Sequence, residues 1–212
     1  MNKEKIAILV DSCCNVPQEF VDKYGMYVIP LKVLYKDREY MDGVDITAEE
    51  VYRGLEKEIP KTSLPSGEHI QKILDRIKAD GYEKVIAVTI SSGLSGTNNM
   101  INLLAKNYEG LEFFVLDTKN ISIGSGFHAI QAARYLEAGM SYQAICEKLE
   151  KEVMNCKVFF AVETLEYLQK GGRIGLVASL FGNALHLKPI ISCNEDGVYY
   201  TCLLYTSDAA DD

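Results

Sequence analysis

The chain has 212 residues with 30 acidic and 22 basic side chains, a formal net charge of −8 that does not attract nucleic acid, and 48% apolar residues, enough for a substantial core. No apolar run reaches the roughly 18 residues of a membrane span, and no charged, apolar and small-residue signal segment opens the chain, so a cytoplasmic location is expected. Of the six cysteines, Cys202 lies near the end of the chain, and the other five, Cys13, Cys14, Cys146, Cys156 and Cys193, show neither paired spacing nor nearby metal-ligand histidines, an odd number that reads as free thiols in a reducing compartment.

In chain order, Lys5 to Val10 is a short apolar run closed by Asp11-Ser12, a buried strand followed by a loop. A helix follows, with Pro17 in its first turn and Gly25 at its end. Tyr27 to Tyr35 and Arg38 to Met41 read as extended. Thr47-Ala-Glu-Glu50 is a capping box before Val51 and Leu55. Ser66 caps a helix with Ile70, Ile73, Leu74 and Ile77 on one face, closed by Gly81. Val85 to Ile90 and Phe113 to Leu116 are buried strands, with a helix starting after Gly96 between them. Helices at about 126–137 and 141–154 complete a first unit. Strand-helix alternation predicts a parallel sheet with helices on both faces.

A second α/β unit starts near Lys157, with strand Val158 to Val162, helix Thr164 to Lys170, and a hairpin of Lys188 to Cys193 and Val198 to Thr201 around the Asp196-Gly197 turn. The expected division is therefore an N-terminal domain over 1–155 and the incomplete start of a second over 156–201. Residues 202–212, Cys-Leu-Leu-Tyr-Thr-Ser-Asp-Ala-Ala-Asp-Asp, read as a non-native tail resembling a translated sequencing adaptor. Leaving out its three acids gives 27 acids against 22 bases, or −5.

Two hydroxyl-rich stretches carry the chemistry: Lys61-Thr62-Ser63-Leu64-Pro65-Ser66 and Thr89-Ile90-Ser91-Ser92-Gly93-Leu94-Ser95-Gly96-Thr97. Each precedes a helix, where free N–H groups and the positive end of the helix dipole favour an anion. The hydroxyls of Thr62, Ser63, Ser92 and Ser95 add neutral donors for a carboxylate or phosphate. The same residues also fit plain helix caps and tight turns. Neither stretch has the Gly-Lys-Ser/Thr ending of a phosphate loop, and Ser91-Ser92-Gly93 lacks the glycine pattern of a nucleophile elbow. His69, His128 and His186 fit solvated or capping roles better than catalysis. A third stretch, Thr164 to Gly175, contains Gly171-Gly172 as a helix C-cap, with Arg173 projecting after it.

Five motifs in order, Asp11-Ser12-Cys13-Cys14-Asn15-Val16-Pro17, Lys61 to Ser66, Ile90 to Thr97, Leu165 to Gly175 and Leu187-Lys188-Pro189-Ile190, resemble those of the DegV family of bacterial fatty-acid-binding proteins. The resemblance implies a two-domain α/β fold that encloses one palmitate-like long-chain fatty acid. It implies delivery of that acid to a separate fatty-acid kinase that makes the acyl phosphate, for phospholipid synthesis or fatty-acid uptake, with only transient membrane contact. The chain would then be a lipid-binding carrier subunit with no catalytic residue, metal or other cofactor of its own. By motif position, Thr62 and Ser95 hold the carboxylate, Ser63 and Ser92 are additional head-group contacts, and Arg173 meets the kinase. Cys13-Cys14 departs from the family's small hydroxyl or acidic pair, and a family histidine near the carboxylate falls beyond the matching sequence.

The ligand class is physically reasonable. About fifteen tail carbons at roughly 0.8 kcal/mol each supply ~12 kcal/mol before ordering costs, so the head group needs only enough donors to offset desolvation. Two other classes stay open: a small-molecule hydrolase or transferase using the serine-rich loop, which would need a general base, and a ligand-free regulatory interaction protein.

Overall fold

The computed structural model describes residues 2–180 and 187–206. His186 and the segment 207–212 lie outside the described residues. The protein is α/β, and its centre is a fully parallel sheet in the order β2-β1-β6-β7, built from β1 (Ile6–Asp11), β2 (Tyr27–Ile29), β6 (Lys84–Thr89) and β7 (Glu112–Asp117). Every residue of β1 is buried, as expected of a strand covered on both faces. The period of two divides it: Ile6, Ile8 and Val10 pack towards α5 (Ile123–Glu137) and α6 (Tyr142–Glu152). Ala7 and Leu9 pack towards α3 (Gly67–Ala79) and α4 (Thr97–Ala105). On α3 the stripe Ile70, Leu74 and Ile77 is fully buried, worth about 1.5–3 kcal/mol per side chain against exposure.

The expected helices are present with their caps. Thr47 and Glu50 close a capping box at the start of α2 (Ala48–Gly54), Ser66 Oγ accepts the His69 N–H, and Ser141 Oγ accepts the Ala144 N–H. Ahead of β2, α1 (Gln18–Tyr24) ends on Gly25 in the left-handed region.

Three expectations change. The extended run 27–35 is not one strand: it breaks at Pro30-Leu31, where proline cannot donate to a ladder. β2 stays in the parallel sheet, and β3 (Lys32–Leu34) enters a separate antiparallel sheet with β4 (Glu39–Met41) and β5 (Lys61–Ser63). The first half of the 61–66 loop is therefore strand, with Thr62 opposite Val33. In the second unit, only Phe160–Ala161 forms the strand β8 and Glu166–Lys170 the helix α7. There β9 (Leu187–Cys193) is the centre of a β10-β9-β8 antiparallel sheet. Strand β10 (Tyr199–Thr206) runs past Thr201, with a register shift between Thr201 and Leu203 and pairing on to Thr206 opposite Leu187. Its Asp196-Gly197 turn is the hairpin connection expected, with Gly197 at φ +75°.

The two units meet in a third apolar cluster. Ile90 and Leu94 of the first pack with Val177, Ile191, Cys193 and Tyr199 of the second. Among the described residues no helix is long and apolar enough to cross a membrane.

Candidate carboxylate site at the strand ends

Strands β1, β6 and β7 all point their C-terminal ends the same way, and the chain leaves β1 for β2 on one side while β6 lies on the other. A crevice at such a reversal is where open α/β sheets bind ligands. The loops at 11–15, 90–97 and 117–122 gather there. The stretch 61–66 joins them, because a methyl carbon placed on Gly96 would lie 3.6 Å from Leu64 Cδ2. The two hydroxyl-rich stretches of the sequence are thus neighbours.

The 90–97 loop is held on both flanks by a carboxylate that ends a neighbouring strand. On one side Asp11, at the end of β1, accepts the Ile90 N–H at 2.8 Å through Oδ2 and faces the Cys14 thiol at 3.6 Å through Oδ1. Burial pushes its carboxyl up to about 6, and the hydrogen bonds from Ile90 and Cys14 only partly offset that. On the other side Asp117, at the end of β7, accepts the Ser92 N–H at 3.0 Å, the Ser92 hydroxyl, the Lys119 N–H at 3.2 Å and the Lys119 ammonium at 2.9 Å. Burial acts to raise its pKa, but the bonds from Ser92 and Lys119 outweigh it and hold the carboxyl below its ordinary value.

These bonds revise one expectation. The Ser92 hydroxyl gives its proton to Asp117, so it is not retained as a head-group donor. A carboxyl held low is also a weak base, so the pair reads as an anchor and not as an activated nucleophile. Ser91 is likewise engaged: its buried hydroxyl donates to the Gly197 carbonyl at 2.8 Å and accepts the Gly93 N–H at 3.1 Å.

Ser95 differs. Its Oγ lies 2.9 Å from Thr97 Oγ1 and accepts the Thr97 N–H at 3.3 Å, so a proton donated by Thr97 would leave the Ser95 hydroxyl free to donate outward. Thr62 is exposed on β5 and Ser63 is half-buried, and neither hydroxyl has a hydrogen-bond partner among the described residues. Three hydroxyls on adjoining stretches are therefore uncommitted or only locally bonded.

Arg173 reaches the same place from the second unit. Helix α7 ends in a Schellman arrangement, with Arg173 N–H bonded to Leu168 O, Gly172 N–H to Gln169 O, and Gly172 at φ +72°. That turn aims the arginine back at the first unit: Nε donates to Leu94 O at 3.3 Å and Nη1 to Gly171 O at 2.7 Å, while the residue stays exposed. Of the two adjacent cysteines, Cys14 is fully buried against Val88 O, and Cys13 joins the apolar seam close to Arg173. Burial pushes both thiols up. His128 is buried on α5, beside Glu152 and Val153, with its pKa lowered by burial.

The sequence alone does not distinguish Asp117 or Ser91 as site residues. The signal for Asp117 is an acid ending an apolar strand run, as Asp11 does; Ser91 shows none, because its acceptor is 106 residues away.

A parallel sheet covered by helices on both faces, with an antiparallel β10-β9-β8 sheet packed against its hydroxyl loops, defines the class of this α/β protein. The sequence matches the family described as "Uncharacterised protein, DegV family" over residues 5–207, and the chain belongs to that family. A DegV domain-containing protein of Clostridium acetobutylicum is 44% identical over 198 residues, covering 93% of this chain and 71% of the relative; one of Clostridium perfringens is 42% identical over 198 residues, covering 93% and 70%. Among solved structures, a fatty-acid-binding DegV family protein from Thermus thermophilus superposes with a TM-score of 0.87 at 30% identity, covering 99% of this chain and 74% of that one. A stearic acid-binding protein from Eubacterium ventriosum gives 0.86 at 30% identity, covering 97% and 72%.

Proposed function

We propose that this chain binds a long-chain fatty acid and holds its carboxylate between Thr62 on one stretch and Ser95 on the other, with Ser63 as an additional contact. The observation that supports the reading is that a methyl carbon on Gly96 would lie 3.6 Å from Leu64 Cδ2, which makes the stretch bearing Thr62 and Ser63 a neighbour of the Ser95 turn. The fatty-acid binding of the Thermus thermophilus and Eubacterium ventriosum proteins supports the ligand class. Neutral donors suit a carboxylate that must remain chemically available, because a fixed cation at the head group would stabilise the anion against reaction.

In this reading the protein is a cytoplasmic carrier without catalytic residues, and its partner is a fatty-acid kinase that converts the bound acid to the acyl phosphate. Arg173 is the candidate contact for that kinase: it is exposed at the rim of the site, and among the described residues two of its five N–H donors are used, on Leu94 O and Gly171 O. Lipid extracted from the purified protein and weighed by mass spectrometry should contain a fatty acid in near-equal amount to protein. Thr62→Ala combined with Ser95→Ala should lower palmitate affinity by about 1–3 kcal/mol, the loss expected for hydrogen bonds to a charged group. Unchanged affinity in the double variant would sink the assignment. Arg173→Ala should keep bound lipid and lose acyl phosphate formation with the kinase, and loss of lipid instead would move the arginine into the pocket.

A further inference from the structure

The head-group loop is tied to the second unit at three successive points. Ser91 Oγ donates to Gly197 O at 2.8 Å. At Gly93 an added methyl carbon would lie 2.9 Å from both Asp196 O and Gly197 O, so the hairpin turn rests directly on the loop backbone. Leu94 O accepts Arg173 Nε at 3.3 Å, and the Leu94 side chain is buried in the seam beside Ile191 and Tyr199. The next residue is Ser95, whose own N–H bonds back to Ser91 O at 3.0 Å.

The turn is itself rigidly built. Asn194 Oδ1 accepts the N–H groups of Asp196 at 3.1 Å and Val198 at 3.0 Å, and Gly197 N–H donates to Asn194 O at 2.9 Å. Gly197 has φ +75° and no room for a side chain, because a methyl carbon there would collide with Ser91 Oγ.

We infer that Ser91 is a positioning residue and the Asn194–Gly197 turn a latch: together they hold Ser95 in its binding geometry only while the second sheet is docked on the first unit. The inference rests on the reading of Ser95 as a carboxylate contact. It follows because the loop has two kinds of support. The carboxylates of Asp11 and Asp117 and the Asn120 carbonyl fix the backbone of residues 90, 92 and 91 from within the first unit, whereas the Ser91 hydroxyl, Gly93 and Leu94, which lead directly into Ser95, are fixed from the second. Separation of the units would release the second set alone. Ligand release and movement between the units would then be one event.

The test measures palmitate transfer from the loaded protein to fatty-acid-free albumin, with hydrogen exchange followed by mass spectrometry. Two variants act from opposite sides of the seam: Ser91→Ala removes the tie from the loop, and Asn194→Ala loosens the turn without touching residues 61–66 or 90–97. Both should release palmitate about five- to tenfold faster, with association changed less than about twofold. Both should also raise exchange at residues 94–97 while the strands Ile6–Asp11 and Lys84–Thr89 keep wild-type protection. If Ser91→Ala does not fold, Asn194→Ala decides alone. Wild-type release rates, or exchange that rises equally in the central strands, overturn the latch. Failure of the underlying reading looks different: Thr62→Ala with Ser95→Ala would then hold palmitate as tightly as the wild type.

Discussion

The two hydroxyl-rich stretches look alike in sequence and are opposite in structure. In 90–97, the Ser91 and Ser92 hydroxyls donate to Gly197 O and Asp117, and backbone N–H groups are taken by Asp11 and Asp117. In 61–66, Ser66 caps α3 but the Thr62 and Ser63 hydroxyls have no partner among the described residues. Hydroxyl content therefore marks two different jobs. Ser95 apart, the first stretch uses its donors to build a rigid floor, and the second leaves those of Thr62 and Ser63 available for a ligand. Substitutions should separate these jobs, costing fold stability at the anchors of the first stretch and affinity alone at Thr62 and Ser63 in the second.

The largest effect is expected at Asp117, whose removal leaves the Ser92 and Lys119 amides and the Ser92 hydroxyl without their acceptor. Asp117→Ala should lower unfolding free energy by about 3–4 kcal/mol in urea denaturation. A loss below about 1 kcal/mol would mean the floor is not held by this carboxylate.

Asp11 sharpens the same comparison through pH. Its folded-state pKa of about 6 lies above the ordinary unfolded value of about 3.9, so the folded protein binds the proton more tightly than the unfolded chain. The ionised carboxylate thus weakens the fold above pH ~6, and that penalty disappears as pH falls below ~4. At most it amounts to about 3 kcal/mol, from two pKa units at 1.36 kcal/mol each. The stability difference between Asp11→Asn and wild type should therefore shift in favour of the wild type by up to that amount between pH 7.5 and pH 4. A pH-independent difference would show that burial does not perturb this group. Asp117, held low, contributes in the reverse sense, its stabilisation being present above the unfolded carboxylate range and lost as pH falls through it.

The smallest effect on stability is expected at the other stretch. Thr62→Ala removes an exposed hydroxyl that has no partner among the described residues and should change unfolding free energy by no more than about 0.5 kcal/mol, while palmitate affinity falls. A thermal shift as large as that of Asp117→Ala would erase the distinction between the two stretches.

Much of this protein was legible in its sequence because the forces involved are local or periodic. The apolar runs of Ile6–Asp11 and Lys84–Thr89, the i, i+4, i+7 stripe of Ile70, Leu74 and Ile77, and the caps at Thr47, Ser66 and Ser141 each depend on residues a few positions apart. The ordered motifs named the family. What tertiary structure alone decided was the fate of each hydroxyl. Ser91, Ser92 and Ser95 are indistinguishable as residue types, yet one donates to a carbonyl at residue 197, one to a carboxylate at residue 117, and one lies against its neighbour Thr97. The same holds for Pro30-Leu31, where one extended run divides between two sheets. A hydroxyl proton has a single acceptor, and which acceptor is nearest depends on strand order and on how the second sheet docks, neither of which is written in any short stretch of chain.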